Sequence, residues 1–479
     1  AADGDPYLPL SLAVGWGVLP EHHNYLLDQA GYDTGEDWAG EHQGLCAEIR
    51  SKAAALLRET PLDADPAADG GVDAMPLFSI DPPSTRDWDD ALAARRTQAG
   101  YAVSIAIACP SLFWPFGSDL DKKTLRRASS LYFPEGDLFM LPRDICDLFS
   151  LRARQHRPAL LLEVELDEDM TIKGLVPSVQ CLRVQDNLSL GSCETILAEK
   201  EGASGSVLPG LSMAYALALR LREKRLARGA IVTERHEPDI LLHKEAEGGI
   251  SVRVAPGADY ERGHTLVSEF MILYNAALAE WGLAAGIPLV YRTQAGAVSK
   301  EHSGVWTRPH EISRALQGLP PAKLSVEPKA HAGVGAGLYS SFTSPLRRYL
   351  DLLNQAQIVH YLRHGRPRLD QTELAALLPL VVSRLESVGK IQRFRLRYWK
   401  LVYMQQEQRS KGGPYFWEGV ITDESNNMVS VMLHPLELSL RGPRALFGGR
   451  VMPGAGVGVR VGKINPLRNE IQIMEVTEL

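Results

Sequence analysis

At 479 residues, with 45% hydrophobic and 23% charged residues, the chain has the make-up of an ordinary globular protein large enough for several domains. No apolar run approaches the roughly 20 residues needed to span a bilayer, which excludes a helical membrane protein and leaves no membrane partner to expect. The net charge of -7 would argue against a polyanionic ligand, but acidic residues crowd the first part of the chain while the C-terminal part is locally basic, and a groove of one sign can hold phosphates whatever the total.

Ala1 to Asp5 lacks the basic start of a secretory signal. The five cysteines are scattered and never form a Cys-x-x-Cys pair, which suits a reducing cytoplasm and argues against zinc. Two helical segments are predicted next, around Pro20 to Ala30 and around Gly44 to Leu57, ahead of a polar linker from Thr60 to Gly71. Residues 1–70 therefore suggest a small helical domain, either a helix-turn-helix or winged-helix module or an inert packing extension.

Ser79 to Leu92 sets four carboxylates, Asp81, Asp87, Asp89 and Asp90, between apolar residues. Carboxylates this close repel one another and resist desolvation, so a fold that gathers them needs a compensating charge, most simply hard divalent cations. A calcium loop fails: counted from Asp87, the sixth position is Leu92 instead of glycine and the twelfth is Gln98 instead of glutamate. A solvated loop fits poorly beside Phe78, Ile80 and the apolar strand Tyr101 to Ala108, so a magnesium site is expected.

Strands such as Ala159 to Leu166 and long helices such as Leu208 to Arg228 make residues 72–410 a large α+β body. Within it, Glu269 is expected to start the helix Ser268 to Ala279 on a stripe with Ile272, Leu273, Ala276 and Ala277, which places a carboxylate on a buried face; helix capping is the plainer alternative. The alternating glycines of His331 to Tyr339 would let a ligand approach the main chain.

Ser344 to Asp351 is predicted to open a helix, capped by Thr343 or Ser344 with Pro345 as its first residue. Arg347 in a first turn meets the positive end of the helix dipole, which a phosphate would offset; the alternative is a surface pair of Arg347 with Asp351. Gln392 to Lys400, with Arg393, Arg395 and Arg397, suggests a basic amphipathic helix. Beyond Lys411 to Pro414, short strands at Phe416–Thr422, Met428–Leu433, Gly456–Val461 and Glu470–Met474, with Arg441, Arg444, Arg450 and Arg460 among them, suggest a small OB-type barrel over 414–479.

Taken in order, Asp81-x5-Asp87-x-Asp89-Asp90, Arg126-Arg127-x2-Ser130-x-Tyr132 leading to Met140-Leu141-Pro142, Ser268-Glu269-x-Met271-x3-Asn275, and Phe342 to Tyr349 resemble RNase II and RNase R exoribonucleases. The resemblance implies an RNB catalytic domain over about 72–410 and a closing OB-fold RNA-binding domain. It implies a processive 3′-to-5′ exoribonuclease that threads single-stranded RNA and releases nucleoside 5′-monophosphates.

On this resemblance Asp81, Asp87, Asp89 and Asp90 match the metal-binding and catalytic aspartates, with Asp89 the most rate-critical. Two Mg2+ ions, or Mn2+ in their place, would activate a water and stabilise the leaving 3′ oxygen. Arg347 matches the arginine at the scissile phosphate. Tyr132 matches the aromatic that packs on a 3′ base, and Glu269 the glutamate that reads the ribose 2′-hydroxyl. Arg348, Arg393 and Arg397 are added as phosphate-gripping candidates. No nucleotide cofactor is expected, and a cytoplasmic monomer is.

Bacterial members of that family usually carry two cold-shock OB domains before the body, and about seventy residues cannot hold both. They place an acidic residue where this chain has Gln392 to Lys400. The competing readings are a catalytically silent RNB-fold protein that binds RNA as a regulator, against which the presence of all four aspartates speaks, and a single-stranded DNA exonuclease.

Overall fold

The computed structural model describes residues 5, 7–35, 37–59, 75–198, 208–235, 237–245, 249–412, 415–448 and 451–479. The predicted linker Thr60 to Gly71 and Arg450 lie outside the described residues.

The body is organised on a six-stranded sheet in the order Ile172–Arg183, His156–Leu166, Tyr101–Ala108, Asp90–Arg96, Phe78–Asp81, Asp186–Ser189. All neighbours are antiparallel except the last pair, which runs parallel from Phe78↔Asp186 to Asp81↔Ser189. Side chains alternate across a strand, and here both faces are covered, which is why Tyr101–Ala108 is apolar nearly throughout. Leu92, Val103, Ile105 and Leu162 enter one core with the helices Leu208–Ala227 and Glu261–Ala284. Ala91, Ala93, Ala106 and Ala108 face the other, whose small side chains leave room for Phe149, Tyr349 and Leu353.

The helix Tyr349–His364 runs through this second core with most of its circumference buried, so its polar residues need partners. They have them. Asn354 accepts from Val290 N at 2.9 Å and donates to Val290 O at 3.0 Å; Gln355 donates to Ala108 O at 2.8 Å; Gln357 donates to Pro288 O and Leu369 O. The next helix, Gln371–Lys411, is 41 residues long, starts at an Asp370/Glu373 capping box and stops at Gly412 in the left-handed conformation. At 1.5 Å per residue it spans roughly 60 Å.

Its far end supports a curled, five-stranded antiparallel sheet in the order Leu438–Pro443, Met428–Leu433, Phe416–Ser425, Gly456–Asn465, Glu470–Glu478, a half-barrel that fits an OB-fold. Leu401 and Met404 of the helix complete its core with Trp417, Val431 and Val459. The strand Leu438–Pro443, absent from the sequence prediction, alternates buried Leu438 and Leu440 with exposed neighbours.

Among the described residues three α-helices precede the body: Leu8–Gly15, Tyr25–Ala30 and Gln43–Glu59. The first escapes the sequence prediction and buries no side chain; the second begins later than predicted, at Tyr25. Leu27 and Tyr32 pack with Leu131, Val388 and Ile391, while Cys46 and Ile49 join Ile145 and Leu350. No described helix is long and apolar enough to cross a membrane.

Candidate active site

The acidic loop is built by two strands and a proline turn. Asp81 ends the strand Phe78–Asp81, Pro82 and Pro83 stop the ladder, Thr85 N closes a turn onto Pro82 O at 3.0 Å, and Asp90 starts the return strand. Between them the backbone alternates: Trp88 is fixed on one side through its N–H to Ser150 Oγ at 2.8 Å, while Asp87 and Asp89 are buried. Ala108 N donates to Asp89 O at 2.7 Å, tying the loop to the central strand.

Asp89 is 2% exposed, and both its oxygens are engaged: Oδ1 accepts from Leu346 N at 3.0 Å and Oδ2 from Arg347 Nε at 3.1 Å. Burial pushes its carboxyl well above the usual range, against the opposing charge of Arg347. Burial and then the neighbouring Asp90 push Asp81 up to about 8, and burial raises Asp90 to about 6 against Arg347 and Arg348. Asp87 Oδ2 accepts the Tyr132 hydroxyl at 2.8 Å.

Arg347 reaches this cluster from a turn, which corrects the sequence expectation. The helix begins at Tyr349, and Pro345, Leu346 and Arg347 lie ahead of it. Tertiary pairing wins over the local helix signal because the turn is pinned to the segment Ala128 to Ser130: Ser130 N donates to Arg347 O at 2.9 Å and Tyr349 N to Ala128 O at 2.9 Å, with Ser129 bridged to Arg348. The argument from the helix dipole therefore does not apply to Arg347. The surface-pair alternative is displaced by one residue, since Asp351 takes Arg348 NH2 at 2.7 Å and Ser344 N at 3.0 Å.

The same segment leads two residues on to Tyr132, in the hairpin Leu131–Phe133/Gly136–Leu138. Gln392 of the long helix pins the Tyr132 backbone from both sides, accepting from its N–H at 3.2 Å and donating to its C=O at 2.6 Å. At the hairpin tip Glu135 accepts from Trp399 Nε1 at 2.6 Å and pairs with Arg395. Sequence reasoning missed Gln392 and Glu135: Gln392 shows only as a lone amide among basic and aromatic neighbours, and Glu135, two residues before Asp137, shows no local signal.

Glu269 is buried as expected but sits in the middle of Glu261–Ala284, so it neither starts nor caps a helix. It is held by Arg225, whose Nε donates to Oε2 at 2.8 Å, with Arg222 Nε 3.8 Å away. It faces a cavity of about 870 Å3 whose wall includes Pro82, Ser84, Arg222, Tyr260 and His264, and so borders the acidic loop from the side. The glycine-rich segment packs on this pair, and its Gly333 and Val334 also line the cavity. A side chain at Gly335, φ +72°, would meet Arg225 O at 3.0 Å, and Val334 O accepts Arg225 NH1 at 2.7 Å.

Arg393 is exposed on the long helix, whereas Arg397 donates to Ser439 O at 2.9 Å and fastens that helix to the C-terminal barrel. The structure thus gathers Asp81, Asp87, Asp89, Asp90, Arg347 and Tyr132, keeps Arg348 one residue away on Asp351, and leaves Glu269, Arg393 and Arg397 outside the cluster.

A hard divalent cation suits this donor set. The carboxylate oxygens are hard ligands, and burial raises Asp81 and Asp90 by more than Arg347 and Arg348 offset, which leaves room for a further positive charge. As the side chains stand, no three His, Cys, Asp or Glu among the described residues are close enough to share one ion, because Asp89 and Asp87 are turned to Arg347 and Tyr132.

The family model of the RNB domain matches residues 72–364. An uncharacterized ribonuclease of Synechocystis is 24% identical over 474 residues, covering 97% of this chain and 67% of its own length. The chloroplastic and mitochondrial ribonuclease II of Arabidopsis thaliana is 27% identical over 413 residues, covering 84% of this chain and 49% of its own; the chain thus spans from about half to two thirds of these relatives. Mycoplasma genitalium RNase R, solved with ribose-methylated single-stranded RNA, superposes with a TM-score of 0.69 at 17% identity over 89% of this chain and 74% of its own, a likeness of fold.

Proposed function

The chain belongs to the RNB domain family, and from that premise we propose that it is a Mg2+-dependent 3′-to-5′ exoribonuclease hydrolysing single-stranded RNA to nucleoside 5′-monophosphates. The observation that carries the reading is the junction at Asp89, where a buried aspartate in a four-carboxylate loop meets an arginine from 258 positions away. The ribonucleases among its relatives support the same class of reaction.

Asp81, Asp87, Asp89 and Asp90 would hold the metal, which when bound supplies an activated water and charge stabilisation at the reacting phosphate. Arg347 spends only Nε on Asp89, and its side chain is 46% exposed, so its terminal nitrogens are left to donate to a phosphate. Its place in the turn, fixed by Ser130 N on the Arg347 carbonyl, orients that phosphate against the carboxylates. Tyr132, anchored by its hydroxyl on Asp87, offers a ring face to the terminal base. Glu269 reaches a ribose hydroxyl only by giving up part of its pairing with Arg225, so its share of the RNA preference is smaller than the aspartates' share of the rate.

The test is 5′-labelled RNA carrying a 3′ overhang, incubated with and without Mg2+ and resolved by product. Release of monophosphates from the 3′ end with Mg2+ alone is expected. RNA binding without release would sink the hydrolase in favour of a silent regulator, and equal action on single-stranded DNA would sink the RNA preference.

A further inference from the structure

The helix Tyr349–His364 follows Arg347 and Arg348 at one end and carries a second basic cluster at the other, about 24 Å away at 1.5 Å per residue. Between Asp351 and Asp370 the chain has no carboxylate but bears His360, Arg363, His364, Arg366 and Arg368. Complementarity to the helix dipole accounts for Arg363 and His364 in the last turn. It does not account for Arg366 and Arg368, which lie beyond the Gly365 cap, nor for Lys52, which arrives from the helix Gln43–Glu59.

Two adjoining cavities of about 420 and 220 Å3 share Leu112, Trp114 and Arg363 and so form one groove. Lys52, His360, Arg363, His364 and Arg368 line it, and the only carboxylate in its described lining is Glu48, which is tied to Lys52 at 2.6 Å. Asp121 lies behind Arg368, held by Trp114 Nε1 at 2.9 Å and Tyr349 OH at 3.0 Å. Arg363 is exposed, with no carboxylate paired to it among the described residues. Desolvation and then the charges of His360, Arg363 and Arg366 push the His364 imidazole below its ordinary pKa. Phe113 and Phe116 add half-buried rings, Phe116 with Arg368 stacked 4.7 Å over it.

We propose that this groove is an accessory phosphate site, remote from the acidic loop, that takes the phosphate of a nucleotide unit on its arginines with the base against its aromatic wall. That chemistry has two sources, the backbone of an RNA strand outside the catalytic cavity or a free nucleotide. The proposal goes beyond the hydrolytic reading and is measured without turnover, so either can fail alone.

The full chain in EDTA is titrated with adenosine 5′-monophosphate, with an RNA of about 25 nucleotides, and with one of about 3 nucleotides, too short to reach from Arg347 to the groove. The probes are compared on the wild type, Arg347→Ala and the pair Arg363→Glu/Arg366→Glu, of which Arg363 lines the groove and Arg366 acts through its charge on His364 of the lining. If RNA is the ligand, charge reversal weakens the long RNA about tenfold and lowers its log–log salt slope by about two, while the short RNA binds as before. If a free nucleotide is the ligand, the reversal abolishes binding of the monophosphate, which Arg347→Ala retains, and both RNAs are unaffected. Unchanged binding of all three probes overturns the site. Should the reversal unfold the chain, Arg363→Lys/Arg366→Lys must retain binding that Arg363→Gln/Arg366→Gln loses, and equal binding by those two pairs overturns it as well.

Discussion

Two buried carboxylates in this molecule, Asp89 and Glu269, are each 2% exposed and each paired with an arginine, yet they are in different states. Arg225 is itself 12% exposed, grips Glu269 with two nitrogens and gives a third to Val334 O, so the pair is closed on itself. Arg347 is 46% exposed, gives Asp89 only Nε, and stands over three further carboxylates that it cannot neutralise alone. A closed pair holds a fold together, whereas an open one in a surplus of negative charge is left with donors and ligands for something else.

The sharpest way to break the comparison is to neutralise both acids. Asp89→Asn removes a charge from the reacting centre and should cut nucleotide release by 10^3-fold or more, about 4 kcal/mol, with RNA affinity held within a few-fold by filter binding. Glu269→Gln should leave release within about tenfold and shift the RNA-over-DNA ratio instead. If the two variants lose release equally, the distinction between open and closed pairs fails.

Removing the arginines should invert the order. Arg225→Ala strands Glu269 in a buried setting and should cost about 3–5 kcal/mol of stability by denaturant titration, against about 1 kcal/mol or less for the half-exposed Arg347→Ala. Arg347→Ala should in turn lose far more release.

The surplus of charge also fixes a pH dependence. Asp81 and Asp90 titrate higher folded than unfolded, so the folded state keeps protons that the unfolded chain gives up. The stability these two acids contribute to the metal-free protein is full at and below the unfolded carboxyl value of about 4 and is lost as pH rises through about 6 to about 8. The thermal midpoint in EDTA should fall over that range, and Mg2+ should recover it most at the alkaline end. A midpoint flat in pH, or Mg2+ acting equally throughout, would deny these acids the role of metal ligands.

What the sequence makes legible follows the range of the interactions. Asp81 to Asp90 is one local loop framed by apolar strands, so its burial and its carboxylate surplus can be foreseen from spacing. Arg347 is foreseen as a partner but placed in the wrong element, because Ser344-Pro345 carries a helix-start signal that pairing with Ala128 to Ser130 overrides. The Gly335 turn invites a ligand in sequence and meets Arg225 in space. Gln392 and Glu135 are illegible, since what makes them matter is a hairpin about 260 positions away from Gln392 and from Arg395.

That hairpin carries the smallest effect expected. Gln392 makes two hydrogen bonds to the Tyr132 backbone and none to the carboxylates, so it positions the ring without touching the reacting atoms. Gln392→Met keeps the bulk but orphans a half-buried N–H and C=O, which should cost about 1 kcal/mol of stability. Release should fall about three- to tenfold, because a ring freed by a fraction of an ångström still finds the base part of the time. Gln392→Glu separates position from bulk: its carboxylate can still accept from Tyr132 N but cannot donate to Tyr132 O, so it should fall between wild type and Gln392→Met. Tyr132→Phe, which keeps the ring and drops only the bond to Asp87, should match Gln392→Met in release while leaving stability nearly unchanged. A Gln392→Met protein as destabilised as expected yet fully active would show that the hairpin's grip on the long helix serves the fold alone.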